Sequence, residues 1–88
     1  MAKMRAKLKV TNIRQAGTGP TGSACEELTF GAVYRQSAYP ADGTDEDNTF
    51  ALYTPTADLK MSITNPALVG AFNVGDAFYV DFIPVGEP

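Results

Sequence analysis

Histidine, the side chain that acid–base and nucleophilic enzymes use most often, is absent from this 88-residue sequence. A Ser/His/Asp or Cys/His arrangement is therefore impossible. With one cysteine and no histidine, a zinc site would depend almost wholly on carboxylates, which is rare. We therefore expect no catalytic residue, no cofactor site and no metal site, and we expect that the protein is not an enzyme.

An acidic run at residues 42–48 reads Asp-Gly-Thr-Asp-Glu-Asp-Asn. Hard cations such as Ca²⁺ bind carboxylate and carbonyl oxygens, but the spacing of this run is not that of an EF-hand. A solvated loop is the simpler interpretation, and a docking contact with a basic partner is a third. On the docking interpretation, the candidate partner-binding residues are Asp45, Glu46 and Asp47.

Basic residues are concentrated at the start of the chain. Five of the seven lie in the first fourteen positions, all ten acidic residues follow from Glu26 onward, and the net charge is −3. This asymmetry favours docking on a charged protein surface, with Arg5, Lys7 and Lys9 as candidate partner-binding residues. An OB-like single-strand nucleic-acid binder is the alternative, because such barrels combine basic charge with stacking aromatics; the net negative charge opposes it, so we do not expect nucleic-acid binding.

Alternation of apolar and polar residues predicts strands, because side chains point to opposite faces with a period of two. The Asn65-Pro66 pair is typical of a helix start and predicts a short helical turn near residues 66–71. Glycine and proline indicate loops, which we expect to be flexible, at about 14–24 and 36–48. The predicted strands are Met4–Ile13, Glu27–Tyr34, Thr49–Tyr53, Asp58–Ile63 and Ala77–Ile83.

The whole chain, 1–88, is predicted to be a single all-β domain, either a small β-barrel or a β-sandwich of about five to six strands. We expect the N-terminal strand to lie at an edge of the sheet and Cys25 to be a small core residue. The sequence has no apolar run of the roughly 20 residues that a membrane span needs, so we expect no membrane partner. One cysteine fits assembly in a reducing cytoplasm.

The C-terminal half carries a recognisable pattern: Leu59-x-Met61-x-Ile63-x-Asn65-Pro66, a spacer to Phe72, and then Gly75-x-x-Phe78-Tyr79-Val80-Asp81-Phe82-x-Pro84. This pattern resembles a group of small virion proteins of tailed bacteriophages. The resemblance covers about residues 48–88 and, more loosely, the basic first strand. The two long loops depart from the shorter plan of that group.

The resemblance implies a capsid decoration, or cement, protein that is made in the host cytoplasm and ends in the virion. Its partner would be the major capsid protein, whose outer surface it would bind and stabilise. Because capsid sites have local two-fold or three-fold symmetry, a homodimer or homotrimer is expected. The same resemblance leaves open a head–tail connector or a tail component.

Overall fold

The computed structural model describes residues 4–18 and 24–86, and the regular elements in these ranges are all β-strands. They pair antiparallel in one four-stranded sheet with the order β3-β2-β1-β4. The prediction of an all-β fold is confirmed. The strands are β1 (Met4–Thr18), β2 (Ala24–Ala32), β3 (Asp58–Ile63) and β4 (Ala77–Phe82).

The alternation in β1 gives the sheet two different faces. Ala6, Leu8 and Val10 are buried on one side, which we call the apolar face. The interleaved basic residues Arg5 and Lys7 lie on the opposite side, the polar face. This division matches the alternation predicted for the first strand.

The outer strands flank different parts of the central hairpin. β4 pairs with Met4–Lys9 of β1, whereas β3 pairs with Glu26–Gly31 of β2. The β1–β2 register shifts at Thr11, which has no opposite residue there, and Thr11 Oγ1 donates to Thr29 O at 3.1 Å. A Cβ atom on Gly31 would lie 3.2 Å from Thr11 Cγ2, so a small residue suits the backbone beside this bulge.

Two irregular segments, 49–57 and 65–74, partly cover the apolar face. Phe50 and Ala57 pack on it from the first segment, and Val69 and Phe72 pack on it from the second. The Phe72 ring meets the Phe30 ring edge-on at a centroid distance of 6.4 Å. The buried core cluster consists of Ala6, Leu8, Val10, Leu28, Phe30 and Ile63.

The predicted barrel or sandwich of five to six strands is wrong, because the described residues form one open sheet of four strands. The predicted strand Thr49–Tyr53 does not form. A hydrogen bond from Ala51 N to Asn48 O makes a turn there, and Tyr53 has a φ of +61°. Without this strand, the described residues have no second sheet to close a barrel or a sandwich.

The predicted helical turn near 66–71 is also wrong in detail, since the segment contains hydrogen-bonded turns and no helix. Asn65 Oδ1 accepts from Ala67 N at 3.0 Å, which is the capping contact expected of this residue. Leu68 N then donates to Asn65 O, and Ala71 N to Leu68 O. Gly70 N donates instead to Glu26 Oε1 at 3.1 Å, which ties the turn to a buried carboxylate of β2.

Three sequence expectations about strand position need correction. β1 continues to Thr18, so the first part of the predicted loop 14–24 is strand; residues 19–23 lie outside the described ranges. β2 is displaced toward the N-terminus relative to its prediction, and β4 stops at Phe82. Most important, β1 is a central strand and not an edge, because β2 and β4 pair with it on either side.

The molecule is thin. Its Cα atoms extend over 52 × 36 × 16 Å, and the radius of gyration is 15.8 Å. A compact domain of this length would have a radius of gyration of about 12 Å. The shape follows from a single sheet whose apolar face is covered by loops and not by a second layer of regular structure.

Candidate functional site

Charged and aromatic side chains meet on the polar face. Here β1 and β4 lie beside the loop that carries the acidic run 42–48, which we call the acidic loop. We call this set the polar-face cluster: Arg5, Lys7, Asp47, Tyr79 and Asp81. β1 and β4 supply four of its members because the β1–β4 register places Arg5 opposite Asp81 and Lys7 opposite Tyr79. The acidic loop supplies the fifth.

Arg5 forms a two-point contact with Asp81. Its Nε lies 2.6 Å from Oδ1, and its Nη2 lies 3.0 Å from Oδ2. Its guanidinium carbon also lies 4.4 Å from the centroid of the Tyr79 ring, in cation–π geometry. The hydrogen bonds to Asp81 raise the pKa of Arg5 above its ordinary value, against a smaller opposing effect of desolvation. Arg5 is thus partnered within the chain.

Tyr79 joins the strand pair to the acidic loop. Its hydroxyl donates to Asp47 Oδ1 at 2.9 Å, and Lys7 Nζ lies 3.8 Å from Asp47 Oδ2. The hydrogen bond to the Asp47 carboxylate, followed by the coulombic effect of that charge, raises the pKa of Tyr79. Positive and negative groups therefore alternate across this face, and their charges largely cancel.

Asn48 holds the acidic loop against the sheet. Only 1% of its surface is exposed, its Oδ1 accepts from Lys7 N at 2.9 Å, and its Nδ2 donates to Val33 O at 2.8 Å. These are hydrogen bonds that a neighbouring strand would normally supply. Thr49 likewise takes the place of a neighbouring strand, since its N donates to Arg5 O and its Oγ1 accepts from Arg5 N.

The carboxylates of the acidic run are used within the loop itself. Asp42 Oδ1 accepts from both the N and the Oγ1 of Thr44, and these hydrogen bonds lower the pKa of Asp42. Asp45 is buried, and its Oδ1 accepts from Asp47 N at 3.0 Å. In the described ranges, no group of three or more His, Cys, Asp or Glu side chains is placed to hold a metal ion.

Tyr53 anchors the far side of the same loop. Its hydroxyl donates to Ala41 O at 2.7 Å, its N donates to Gly43 O, and its ring packs edge-on against Tyr39. Tyr53 has a φ of +61°, which is unusual for an aromatic residue and carries backbone strain. Gly43, at a φ of +74°, lies directly beneath the ring.

The six candidate partner-binding residues therefore have different surroundings. Arg5, Lys7 and Asp47 meet in the polar-face cluster, Asp45 is buried as a turn residue, and Lys9 and Glu46 are exposed. All six were expected to contact a partner, yet two basic residues and one acidic residue of the set lie together within the chain. Asn48 and Tyr79 are not among these six candidates, although Tyr79 shares its strand face with Asp81 by alternation.

A second surface lies along β4, which is an edge strand with no described strand on its outer side. Its side chains are exposed on both faces: Phe78 and Phe82 on the apolar face are 37% and 51% exposed, and Tyr79 on the polar face is 53% exposed. Ile83, directly after the strand, is 81% exposed. An apolar groove of about 250 Å³ opens on the same side, between Phe50 of the covering segment and Val80 and Phe82 of β4.

Cys25 is buried, with 5% of its surface exposed, as the sequence predicted. No helix in residues 4–18 and 24–86 is long and apolar enough to cross a membrane. Comparison of the chain with protein-family models, with curated proteins and with solved structures finds no match. The resemblance drawn from the motif residues therefore stays a prediction from the sequence.

Proposed function

We propose that this chain is a capsid decoration protein of a tailed bacteriophage, which binds the outer surface of the major capsid protein shell and stabilises it. The proposal combines two supports. One is the motif between Leu59 and Pro84, which resembles small virion proteins of these phages. The other is the exposed edge strand β4, which is the single structural observation that favours an adhesive role.

The motif residues occupy the outer strands and the turns that lead into β4. Leu59, Met61 and Ile63 belong to β3, and Phe78 to Phe82 form most of β4. Monomeric soluble proteins seldom expose a continuous apolar strand, and exposed edges commonly add a strand from another chain. A protein that stabilises a lattice by contact benefits from such an edge and needs no reactive group.

Charge has a narrower role in this proposal than the sequence suggests. Arg5 and Lys7 are matched by Asp81 and Asp47, so they contribute little net attraction to an acidic capsid rim. Lys9 and Glu46 are the exposed members of the candidate set. We therefore assign the main contact to apolar surface and long-range steering to Lys9.

The OB-like alternative loses its structural basis. An OB-fold is a five-stranded Greek-key barrel, whereas the described residues form an open sheet of four strands. A head–tail connector or tail component remains an alternative, because the same motif and the same exposed edge would suit it.

Quantitative mass spectrometry of purified virions tests the proposal. A decoration protein is expected at a copy number comparable to that of the major capsid protein. Removing it from the particles should make the shell less stable. A copy number far below that of the capsid protein would indicate the neck or tail. Absence from mature particles would refute a virion role altogether.

A further inference from the structure

The two edges of the sheet differ in protection. β3 carries Asp58 and Lys60, and charged edge residues discourage pairing with other chains. β4 carries one charge, Asp81, which Arg5 neutralises at 2.6 Å. Its other residues are alanine, valine and aromatics. β4 is therefore the edge that the sequence leaves open to pairing.

The backbone of β4 is oriented for such pairing. Arg5 and Lys7 direct their N–H and C=O groups away from β4, toward Thr49, Asn48 and Val33. Because direction alternates along an antiparallel ladder, it is their neighbours in β1 that face β4. The residues of β4 opposite those neighbours are Phe78, Val80 and Phe82. The intervening residues Tyr79 and Asp81, and Ala77 before them, consequently direct their backbone groups outward.

We propose that β4 pairs antiparallel with β4 of a second copy about a two-fold axis at Val80, joining two four-stranded sheets into one sheet of eight strands. In this register Val80 faces its own counterpart and Phe78 faces Phe82 of the other copy. The proposal can be tested on the protein alone. It does affect the capsid role, because a dimer would occupy the backbone edge of β4 and leave only its exposed side chains to contact a capsid.

A second copy fits both faces of the edge. On the apolar face, the rows across the junction read Leu8, Phe78, then Phe82 and Met4 of the other copy, which gives an unbroken apolar band. On the polar face, the corresponding row contains Lys7, Tyr79, and then Asp81 and Arg5 of the other copy, with no like charges opposite each other. Because of the two-fold axis, each of these rows occurs twice in the dimer.

A closed dimer also explains why β3 carries charged residues, whereas the one charge of β4 is paired with Arg5. A two-fold junction is isologous, so it ends growth instead of producing a fibre. The outer edges of the eight-stranded sheet would be the two copies of β3, which carry Asp58 and Lys60. A strand from an unrelated protein would satisfy the outward backbone groups but would explain neither the matched rows nor the guarded outer edges.

The junction is small. Stable interfaces bury about 800 Å² on each partner, and a six-residue strand is a short edge by that standard. We therefore expect a dimer that dissociates on dilution. Sedimentation equilibrium of the purified full chain over a range of concentrations should show a monomer–dimer equilibrium. A monomer at every concentration, or a trimer, would overturn the proposal.

Phe82→Lys places a charge in the apolar band and should shift the equilibrium to monomer. Met61→Lys is the matched control, because Met61 is similarly exposed at 47%, belongs to the other edge strand and should leave the dimer intact. Circular dichroism checks that both variants are folded. Equal weakening by the two variants would contradict a junction at β4.

Val80→Cys provides a test that does not depend on disrupting the fold. Val80 and its counterpart would form a non-hydrogen-bonded pair with Cα atoms about 4.5 Å apart, within the range that a disulfide bridges. Mild oxidation should yield a covalent dimer from this variant and none from Met61→Cys. Failure of Val80→Cys to cross-link where the wild-type chain sediments as a dimer would place the contact elsewhere and refute the proposal.

Discussion

Asn48 replaces a strand backbone at one point of the sheet. Its amide accepts from Lys7 N and donates to Val33 O, and the residue is 1% exposed. Both contacts join segments that are remote in sequence. The acidic loop is therefore attached to β1 mainly through this one side chain and the neighbouring Thr49.

Asn48→Ala should lower the free energy of unfolding by about 2 kcal/mol, because it removes the partner of one part-buried donor and one part-buried acceptor and leaves a cavity at a buried position. Asn48→Asp should cost less at Lys7, since it keeps the acceptor, but it loses the donor to Val33. Urea denaturation measures both variants. Asn12→Ala, at an exposed position of β1, is the control, and a loss as large as that of Asn48→Ala would argue against a special role for Asn48.

Tyr79 gives the polar face a measurable pH response. Its pKa is raised in the folded protein by the hydrogen bond to Asp47, so the associated stabilisation is fully present below the unfolded pKa of about 10. That stabilisation is lost as the pH rises through the folded pKa. Asp47→Asn removes the negative charge and should bring the pKa of Tyr79 back toward its ordinary value. NMR titration of the Tyr79 ring measures this, and identical midpoints in the two proteins would contradict the assigned cause.

The elements show how loops replace regular structure in this fold. A fifth strand would have covered or extended the sheet, but the segment after Asn48 turns at Ala51 and reaches the left-handed region at Tyr53. The loop is stabilised by contacts between residues 39–43 and Tyr53. These contacts depend on the absence of a side chain at Gly43, whose added Cβ would lie 2.5 Å from the Tyr53 ring.

Gly43→Ala should destabilise the loop through both the positive φ and the clash with Tyr53. Gly75→Ala is the matched control, because Gly75 has a φ of +97° but open space around its Cβ position. We expect Gly43→Ala to lower the melting temperature more than Gly75→Ala does. Equal decreases would mean that conformational strain alone accounts for the effect and that the close packing of Tyr53 contributes nothing measurable.

The whole molecule is a thin sheet with one face partly covered and one edge open. Its polar face is internally matched in charge, so the net charge of −3 is not arranged as separate basic and acidic docking surfaces. Apolar exposure along β4 is the more distinctive feature of the surface. Association with identical or different chains would remove this exposure from water, which stabilises a small protein that has a limited core.

On the proposed capsid role, Lys9→Glu should slow association with capsids and weaken the decrease of the association rate with salt, because it removes an exposed attractive charge. Lys60→Glu, an equal charge change on β3, is the control and should have a smaller effect. Capsid co-sedimentation and stopped-flow measurements at two salt concentrations test this. Reversal of Arg5 and Lys7 is not a clean test, since it would also break the contacts to Asp81 and Asp47.

Local pattern was sufficient to predict the β-strand character of this chain and the division of β1 into two faces. Alternation acts between neighbouring residues, so the bounds of β3 and the burial of Leu8 and Val10 follow from it directly. The capping contact of Asn65 could also be predicted, because it joins residues two positions apart. Features that depend on contacts between residues close in the chain can therefore be predicted from the sequence.

The order of the strands and the surroundings of the charged residues were decided only in the tertiary structure. Whether β1 is central or at an edge depends on the pairing of residues more than seventy positions apart, such as Arg5 with Asp81. Long-range contacts also bring Lys7 beside Asp47, and they make the Asn48 side chain a substitute for strand backbone. Local periodicity carries no information about such partners, because it determines the face on which a side chain lies and not the strand beside it.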